Sequence, residues 1–280
     1  MKRISYFMLS LLALLVCSCA ETEQPYVGYI VIERAVVDAD ANSTATLIAD
    51  TDINSPIKLT VNGDAAEWCS VSVSGKEIHV TATQANTGES FRTATVTARC
   101  GYRETSFTVL QKFNGQQYLE YDWTKWTATG NNCQTNDGGG YPSLFNEDRS
   151  TFWHSQYNPN RVDLPWWIVV DMKEELECHM FQIGRRYYAA YKNNYGTVKH
   201  MDIYGSTDNE NFTKIGEFSF DLPWTAPDGT VVTGATSPLI PAYEEVKLSE
   251  PVTARYIKMV ITETNGSSAQ VAYLKVYEKI

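Results

Sequence analysis

Histidine and cysteine are scarce in this 280-residue chain, with four and six copies. That scarcity excludes a large metal or redox centre built from them. No C-x-x-C, H-E-x-x-H, G-x-S-x-G or P-loop spacing occurs, so the common zinc-protease, serine-hydrolase and nucleotide-hydrolysing sites have no starting material. Positive charge is short as well: 23 Lys and Arg stand against 33 Asp and Glu, a net −10 with pI near 4.9. A field of that sign repels phosphate backbones and excludes nucleic acid as a partner. The apolar run at residues 8–16 is too short to cross a bilayer as a stable helix, and nothing after it carries a helical period. What the chain does have is the composition of a folded protein, 43% hydrophobic and 20% charged, with 17 Tyr and 7 Trp. Flat ring surface suits neutral ligands.

Lys2 and Arg3 followed by the 8–16 run read as an export signal covering residues 1–18. Val16-Cys17-Ser18-Cys19 resembles the bacterial lipobox, which implies cleavage before Cys19, acylation of that residue and a tether over 19–27. The alternative is ordinary signal cleavage and an unlipidated mature chain. Cleavage removes Lys2 and Arg3, leaving 21 − 33 = −12. Acyl chains would partition into a membrane at about 0.8 kcal/mol per buried CH₂. Glu21 and Glu23 loosely resemble surface-export tags of Bacteroidetes lipoproteins, so the expected location is the outer membrane, facing outward. Four cysteines remain: Cys69, Cys100, Cys133 and Cys178. An exported compartment permits Cys69–Cys100 and Cys133–Cys178 bridges, and four buried free thiols are the other arrangement.

Short alternating runs separated by Gly, Asn, Asp and Pro turns dominate the rest. Strands are expected at 29–37, 45–48, 57–61, 68–73, 77–83, 91–98 and 105–110, a spacing that describes a β-sandwich. His79 falls on one of them as a surface residue, and Trp68 is expected to plug the core. The Gly75 turn before Ile78-His79-Val80-Thr81-Ala82, the Asn86-Thr87-Gly88 turn, Arg92-Thr93-Ala94-Thr95-Val96 and Phe107-Thr108-Val109-Leu110-Gln111 resemble a BACON domain, an immunoglobulin-like module, over 28–113. The family name implies carbohydrate binding. Residues 20–116 hold only seven aromatics, so a spacer is the expected role.

Residues 113–117 are short and polar and mark a boundary. Beyond them, 117–280 carries 25 aromatics in 164 positions, with strands expected at 166–171, 180–183, 198–206, 212–220, 243–248, 254–261 and 272–277. Such a set of antiparallel strands with long loops describes a jelly roll, so the whole chain is expected to be all-β. Trp126-Thr127-Ala128-Thr129, Ser150-Thr151-Phe152-Trp153-His154-Ser155, Pro165-Trp166-Trp167-Ile168-Val169-Val170-Asp171, Val198–Asp208, Ala254-Arg255-Tyr256-Ile257-Lys258 and Ala272–Tyr277 resemble, in order, the coagulation factor V/VIII type C, or discoidin, domain. Carbohydrate-binding module family 32 belongs to this group, and its bacterial members typically bind galactose-type or amino-sugar termini at the loop end. The resemblance implies glycan recognition without catalysis.

A sugar offers a C–H face to an aromatic ring and hydroxyls to planar donors and acceptors. The loops supply both in His154, Tyr157 and Arg161, in Arg186, Tyr191, Asn193 and Asn194, and in Trp224. Arg186 and one of Asn193 or Asn194 look like the family's sugar-contacting Arg and Asn, with Arg185 the competing match. Trp126, Trp153, Trp166 and Trp167 are expected in the core. No organic cofactor is expected. The resemblance implies a structural Ca²⁺ in many relatives, but Asn146 stands where Asp is usual and Tyr273 where Glu is usual. Asp148, Thr151 and the carbonyls of Leu144 or Phe145 are the remaining ligands.

Once signal and two sandwiches are assigned, no length is left for a catalytic domain. Two functions are therefore expected: a non-catalytic glycan-binding surface lipoprotein, serving a polysaccharide-uptake apparatus, or an adhesion or assembly subunit that binds protein through the same loops.

Overall fold

The computed structural model describes residues 28–280, so the export signal, the Cys19 anchor and nearly all of the tether lie outside the described residues. Within them the chain is all-β, apart from 3-10 turns at Gly63–Glu67 and Tyr141–Phe145. It divides between Asn114 and Gly115 into two compact units.

The first unit pairs most of its alternating runs into two larger sheets, beside a two-stranded one. One is ordered Ala35–Val37, Arg103–Gln111, Arg92–Cys100, Ile57–Val61, and the other Thr44–Ile48, Glu77–Ala82, Cys69–Ser74. Ala35–Val37 runs parallel to Arg103–Gln111, while the other pairs in these sheets are antiparallel. Period-two patterning decides the faces: Glu77–Ala82 buries Ile78, Val80 and Ala82 and leaves His79 beside Glu77, 3.3 Å away. The expected strand at 29–37 is broken, because Ile30–Val31 pairs with Asp50–Thr51 before the chain crosses to Arg103–Gln111. Trp68 does not plug the core. It follows the Gly63–Glu67 turn and packs half-buried against the core.

Neither expected disulfide forms. Cys69 opens a strand of the three-stranded sheet, whereas Cys100 ends a strand of the four-stranded one and donates its thiol to the Ser55 carbonyl at 3.2 Å. Cys133 and Cys178 are also free, and burial pushes the Cys178 thiol up to about 12. The thiols behave as small apolar groups.

In the second unit the main sheet is ordered Tyr118–Glu120, Leu274–Lys279, Trp166–Gly184, Tyr243–Thr264, Val198–Ser206, Thr213–Ser219, with Thr127–Gly130 also paired to Trp166–Gly184. The expected strands at 166–171 and 180–183 are one 19-residue strand, and those at 243–248 and 254–261 are one of 22 residues. Their register shifts between Asp171 and Leu176 and between Cys178 and Met180. Bulges of this kind bend a strand and change its neighbours: before the break Trp166–Gly184 pairs with Thr127–Gly130, after it with Leu274–Lys279. Trp153, Trp166, Phe181, Ile257 and Met259 are wholly buried in the core. The indole N–H of Trp153 donates to Asn132 O and that of Trp166 to Val162 O, both at 2.9 Å, so neither polar tip is stranded. Trp126 is buried as expected. Trp167 is not: alternation turns it to the opposite face, under the Lys258 ammonium at 5.2 Å.

Candidate functional site

The loop before the Tyr141–Phe145 turn contains Gly138, Gly139 and Gly140, all at positive φ. A Cβ on Gly138 would come within 2.4 Å of the Phe152 carbonyl, so glycine is what allows the loop to close on Phe152. That approach, sealed by Phe152 N donating to Gly138 O, brings Asp137 against the strand Trp153–His154. This strand is held in turn by Gln270–Val271.

Around Asp137 the hydrogen bonds fix a tautomer. Thr197 Oγ1 donates to Gln270 Oε1, so the amide nitrogen of Gln270 faces His154 Nε2 at 2.6 Å and donates to it. His154 Nδ1 then carries the proton and donates to Asp137 Oδ2 at 2.8 Å, and Tyr157 OH donates to the same oxygen at 3.2 Å. Burial lowers the His154 pKa below 6.5, opposed by the bond to Asp137 and reinforced by the Arg186 charge. The Asp137 charge raises that of the Tyr157 phenol. Both imidazole nitrogens are thus spent inside the protein, and His154 orients Asp137 and Tyr157 through these bonds. Neutral His154 belongs to the native state, so its stabilisation is complete above pH 6.5 and is lost as pH falls through its lowered folded pKa, because the unfolded chain takes up the proton first. Urea midpoints at pH 5 and 7.5 should therefore differ more in the wild type than in His154→Gln.

Beside this group stands Arg186. Its guanidinium carbon lies 4.2 Å from the Phe152 ring centre, 4.5 Å from that of Tyr195 and 5.7 Å from that of Tyr188, and among the described residues no carboxylate or carbonyl takes its N–H groups. Arg185, the competing match, points elsewhere: it is buried against Glu244, donates to the carbonyls of Pro241 and Tyr243, and lies 4.3 Å from the Phe220 ring centre. Asn194 is structural, with Nδ2 donating to Ile240 O and Oδ1 accepting from Arg149. Asn193 sits across from Tyr188 in the hairpin of Tyr187–Tyr188 and Asn193–Tyr195, and its amide is unbonded among the described residues. Tyr188 and Tyr191 are exposed with ring centres 5.3 Å apart. Two expected residues do not join the cluster. Trp224 packs on Phe220 in a separate apolar group with Val232 and Ile240, and Arg161 lies exposed over Trp166.

The resulting surface offers aromatic faces, a cation with unspent donors, and a carboxylate whose second oxygen is free. Asp137 is the residue that sequence reasoning did not single out. Its signal was there, as the one acidic residue of the 131–141 loop, directly before three glycines.

Asn146, Asp148 and Thr151 do lie together, but their oxygens serve their own turn. Asn146 Oδ1 accepts from the Asp148 amide and the Thr151 hydroxyl, and Asp148 Oδ1 accepts from the Ser150 amide. Tyr273 directs its hydroxyl to Gln182. Calcium asks for about six to eight oxygens, several of them anionic. One exposed carboxylate already bonded within its turn does not fit that demand.

The F5/8 type C domain model matches residues 125–274. The chain belongs to the F5/8 type C domain family. The BACON model, for an N-terminal binding domain, matches residues 58–112 of the first unit. No curated protein matches the chain. Among solved structures, the F5/8 type C unit is similar to the C-terminal domain of a chitobiase from Bacteroides fragilis, at 22% identity and TM-score 0.45 over 58% of this chain and 99% of that one. A family 32 carbohydrate-binding module from Clostridium perfringens in complex with GalNAc-β-1,3-galactose shares 22% identity at TM-score 0.45, over 57% and 100%. A second such module from the same organism, in complex with galactose, shares 19% at TM-score 0.43, over 57% and 99%.

Proposed function

We propose that this protein is a non-catalytic glycan-binding lipoprotein, anchored through Cys19 to the outer membrane and facing outward. In this reading its first unit is a spacer, and its F5/8 type C unit holds sugar for a polysaccharide-uptake apparatus. The observation that carries the reading is Arg186, a guanidinium packed on aromatic rings with its N–H donors unspent, next to the Asp137–His154–Tyr157 group. A sugar hydroxyl both donates and accepts, so a pair of hydroxyls can bond Arg186 and the free oxygen of Asp137 while the ring's C–H face lies on an aromatic side chain. Hydrolysis needs two carboxyls about 5 to 10 Å apart across the scissile bond, and the described cluster contains one, Asp137.

Single-site affinity for so shallow a surface is expected at roughly 0.1 to 1 mM, or about −4 to −5.5 kcal/mol, with avidity supplied by many copies on one membrane. A glycan-array screen of the full chain in detergent, followed by calorimetry with galactose and GalNAc-β-1,3-galactose, tests the reading. Saturable binding supports it, and a folded, multivalent chain that retains no glycan overturns it. Tyr191 is 71% exposed beside Tyr188, at the outer edge of the cluster. Tyr191→Ala should weaken a disaccharide about threefold to tenfold and leave a monosaccharide unchanged, a difference that calorimetry reads directly. Radiolabelled palmitate should enter the wild type and not Cys19→Ser.

A further inference from the structure

The loop that carries Asn146, Asp148 and Thr151 also carries Arg149, whose side chain reaches three other segments. Its Nη1 donates to Asn194 Oδ1 at 2.8 Å, to the Ala242 carbonyl at 3.2 Å and to the Arg185 carbonyl at 3.3 Å. The guanidinium carbon lies 5.3 Å from the Tyr187 ring centre, and the Arg149 carbonyl accepts from the Tyr187 amide at 2.8 Å. One side chain thus closes together the end of Trp166–Gly184, the hairpin behind Arg186 and the stretch before Tyr243–Thr264. The carbonyl it holds at Arg185 belongs to the peptide unit that leads into Arg186.

A second cation secures the same loop. Lys275 Nζ, on a side chain only 11% exposed, donates to Glu147 Oε1 at 2.7 Å and to Glu120 Oε2 at 2.9 Å, 5.0 Å from the Trp123 ring centre. The loop therefore meets its neighbours through Arg149 on one side and through Glu147 against Lys275 on the other, while the oxygens of Asn146, Asp148 and Thr151 are engaged within it. Bonds from a charged donor are among the stronger ones available, and removing the donor leaves Asn194 Oδ1 and the Arg185 carbonyl unpaired at once, the Ala242 carbonyl keeping the Arg185 N–H.

We infer that Arg149 is the positioning residue of the ligand site: its guanidinium, in place of a bound divalent cation, sets Arg186 and the hairpin Tyr187–Tyr195, with Lys275 holding the other flank of the loop. Only the affinity arm of the test below rests on the glycan reading.

The full chain and Arg149→Met, which keeps the apolar stem, are compared by amide hydrogen exchange and melting, each with chelator and with added Ca²⁺. Chelator should leave the wild-type Tm and exchange unchanged. In Arg149→Met the amides of Arg185 and Tyr195, bonded to Ala242 O and Arg186 O, should exchange about tenfold faster or more, with no rescue by Ca²⁺. Wild-type loops that loosen on chelation, or a variant that exchanges like the wild type, overturn the inference. For affinity, galactose is titrated by NMR into Arg149→Met, Arg186→Lys, which keeps a charged donor and a readable affinity, and the double variant. A double variant no weaker than Arg186→Lys places Arg149 upstream of Arg186, and additive losses overturn that. A wild type that binds no galactose ends the glycan reading and leaves the exchange arm to decide on Arg149. Should Arg149→Met not fold, Arg149→Lys is read by the same exchange criterion, since a flexible ammonium lacks the planar guanidinium that lies over Tyr187 and fixes the direction of its donors.

Discussion

Arg186→Ala should abolish measurable glycan binding while leaving the fold intact. Its guanidinium has no carboxylate or carbonyl partner among the described residues, so truncation strands no buried charge; what the fold loses is packing on Phe152, Tyr188 and Tyr195, about 0.5–1 kcal/mol per exposed cation–π contact. Binding has far less to spare. A charge-assisted hydrogen bond is worth about 1.5–3 kcal/mol, and two of them amount to about 3–6 kcal/mol, most or all of the −4 to −5.5 kcal/mol expected for the site. Dissociation constants should rise at least a hundredfold, beyond calorimetric reach. A variant that binds as the wild type does places the sugar elsewhere, and Trp224, in its own apolar group, becomes the residue to truncate next.

Glu244→Ala should cost about 3 kcal/mol of stability, the lower end of what breaking a buried ion pair costs. Arg185 is 7% exposed on its side chain and faces Glu244; burial lowers its pKa and the Glu244 charge opposes that shift. Without Glu244 the guanidinium keeps the carbonyls of Pro241 and Tyr243, which limits the penalty without cancelling it. At about 2–4 °C per kcal/mol for a unit of this size, Tm should fall by about 6–12 °C. Tryptophan fluorescence suits the measurement, since six of the seven tryptophans belong to the second unit. The exposed pair Lys199–Glu263 provides the contrast: solvent screens it, and Glu263→Ala should leave the Tm close to that of the wild type.

Some of this was written in local sequence. Val198–Ser206 and Ile57–Val61 fall where alternation put them, because each has one face in a core and the pleat leaves no choice of side. The long strand Trp166–Gly184 was hidden by Lys173-Glu174-Glu175, a polar interruption that reads as a turn and is a bulge between two registers of one strand. His154 was legible as a site residue and not in its role. Its Nε2 is taken by Gln270, 116 residues away, and no window along the chain contains that pairing. Arg149 was overlooked for the same reason, since its acceptors are 36, 45 and 93 residues distant. The choice between Arg185 and Arg186 was likewise open in sequence, where adjacent arginines are equivalent, and was decided by Glu244 across the strand pair.

The parallel pairing of Ala35–Val37 with Arg103–Gln111 has a mechanical consequence. Because Ala35–Val37 runs parallel to the last strand, the chain enters this pair at one end and leaves it at the other. A pull on the two ends acts along the strands, and the ladder from Ala35 and Val109 to Val37 and Gln111, extended by the bond from Lys112 N to Val37 O, is loaded in shear. Its bonds must yield together instead of peeling apart one at a time. A strand order with antiparallel ends would unzip at lower force, so this pair of strands resists a pull along its own direction.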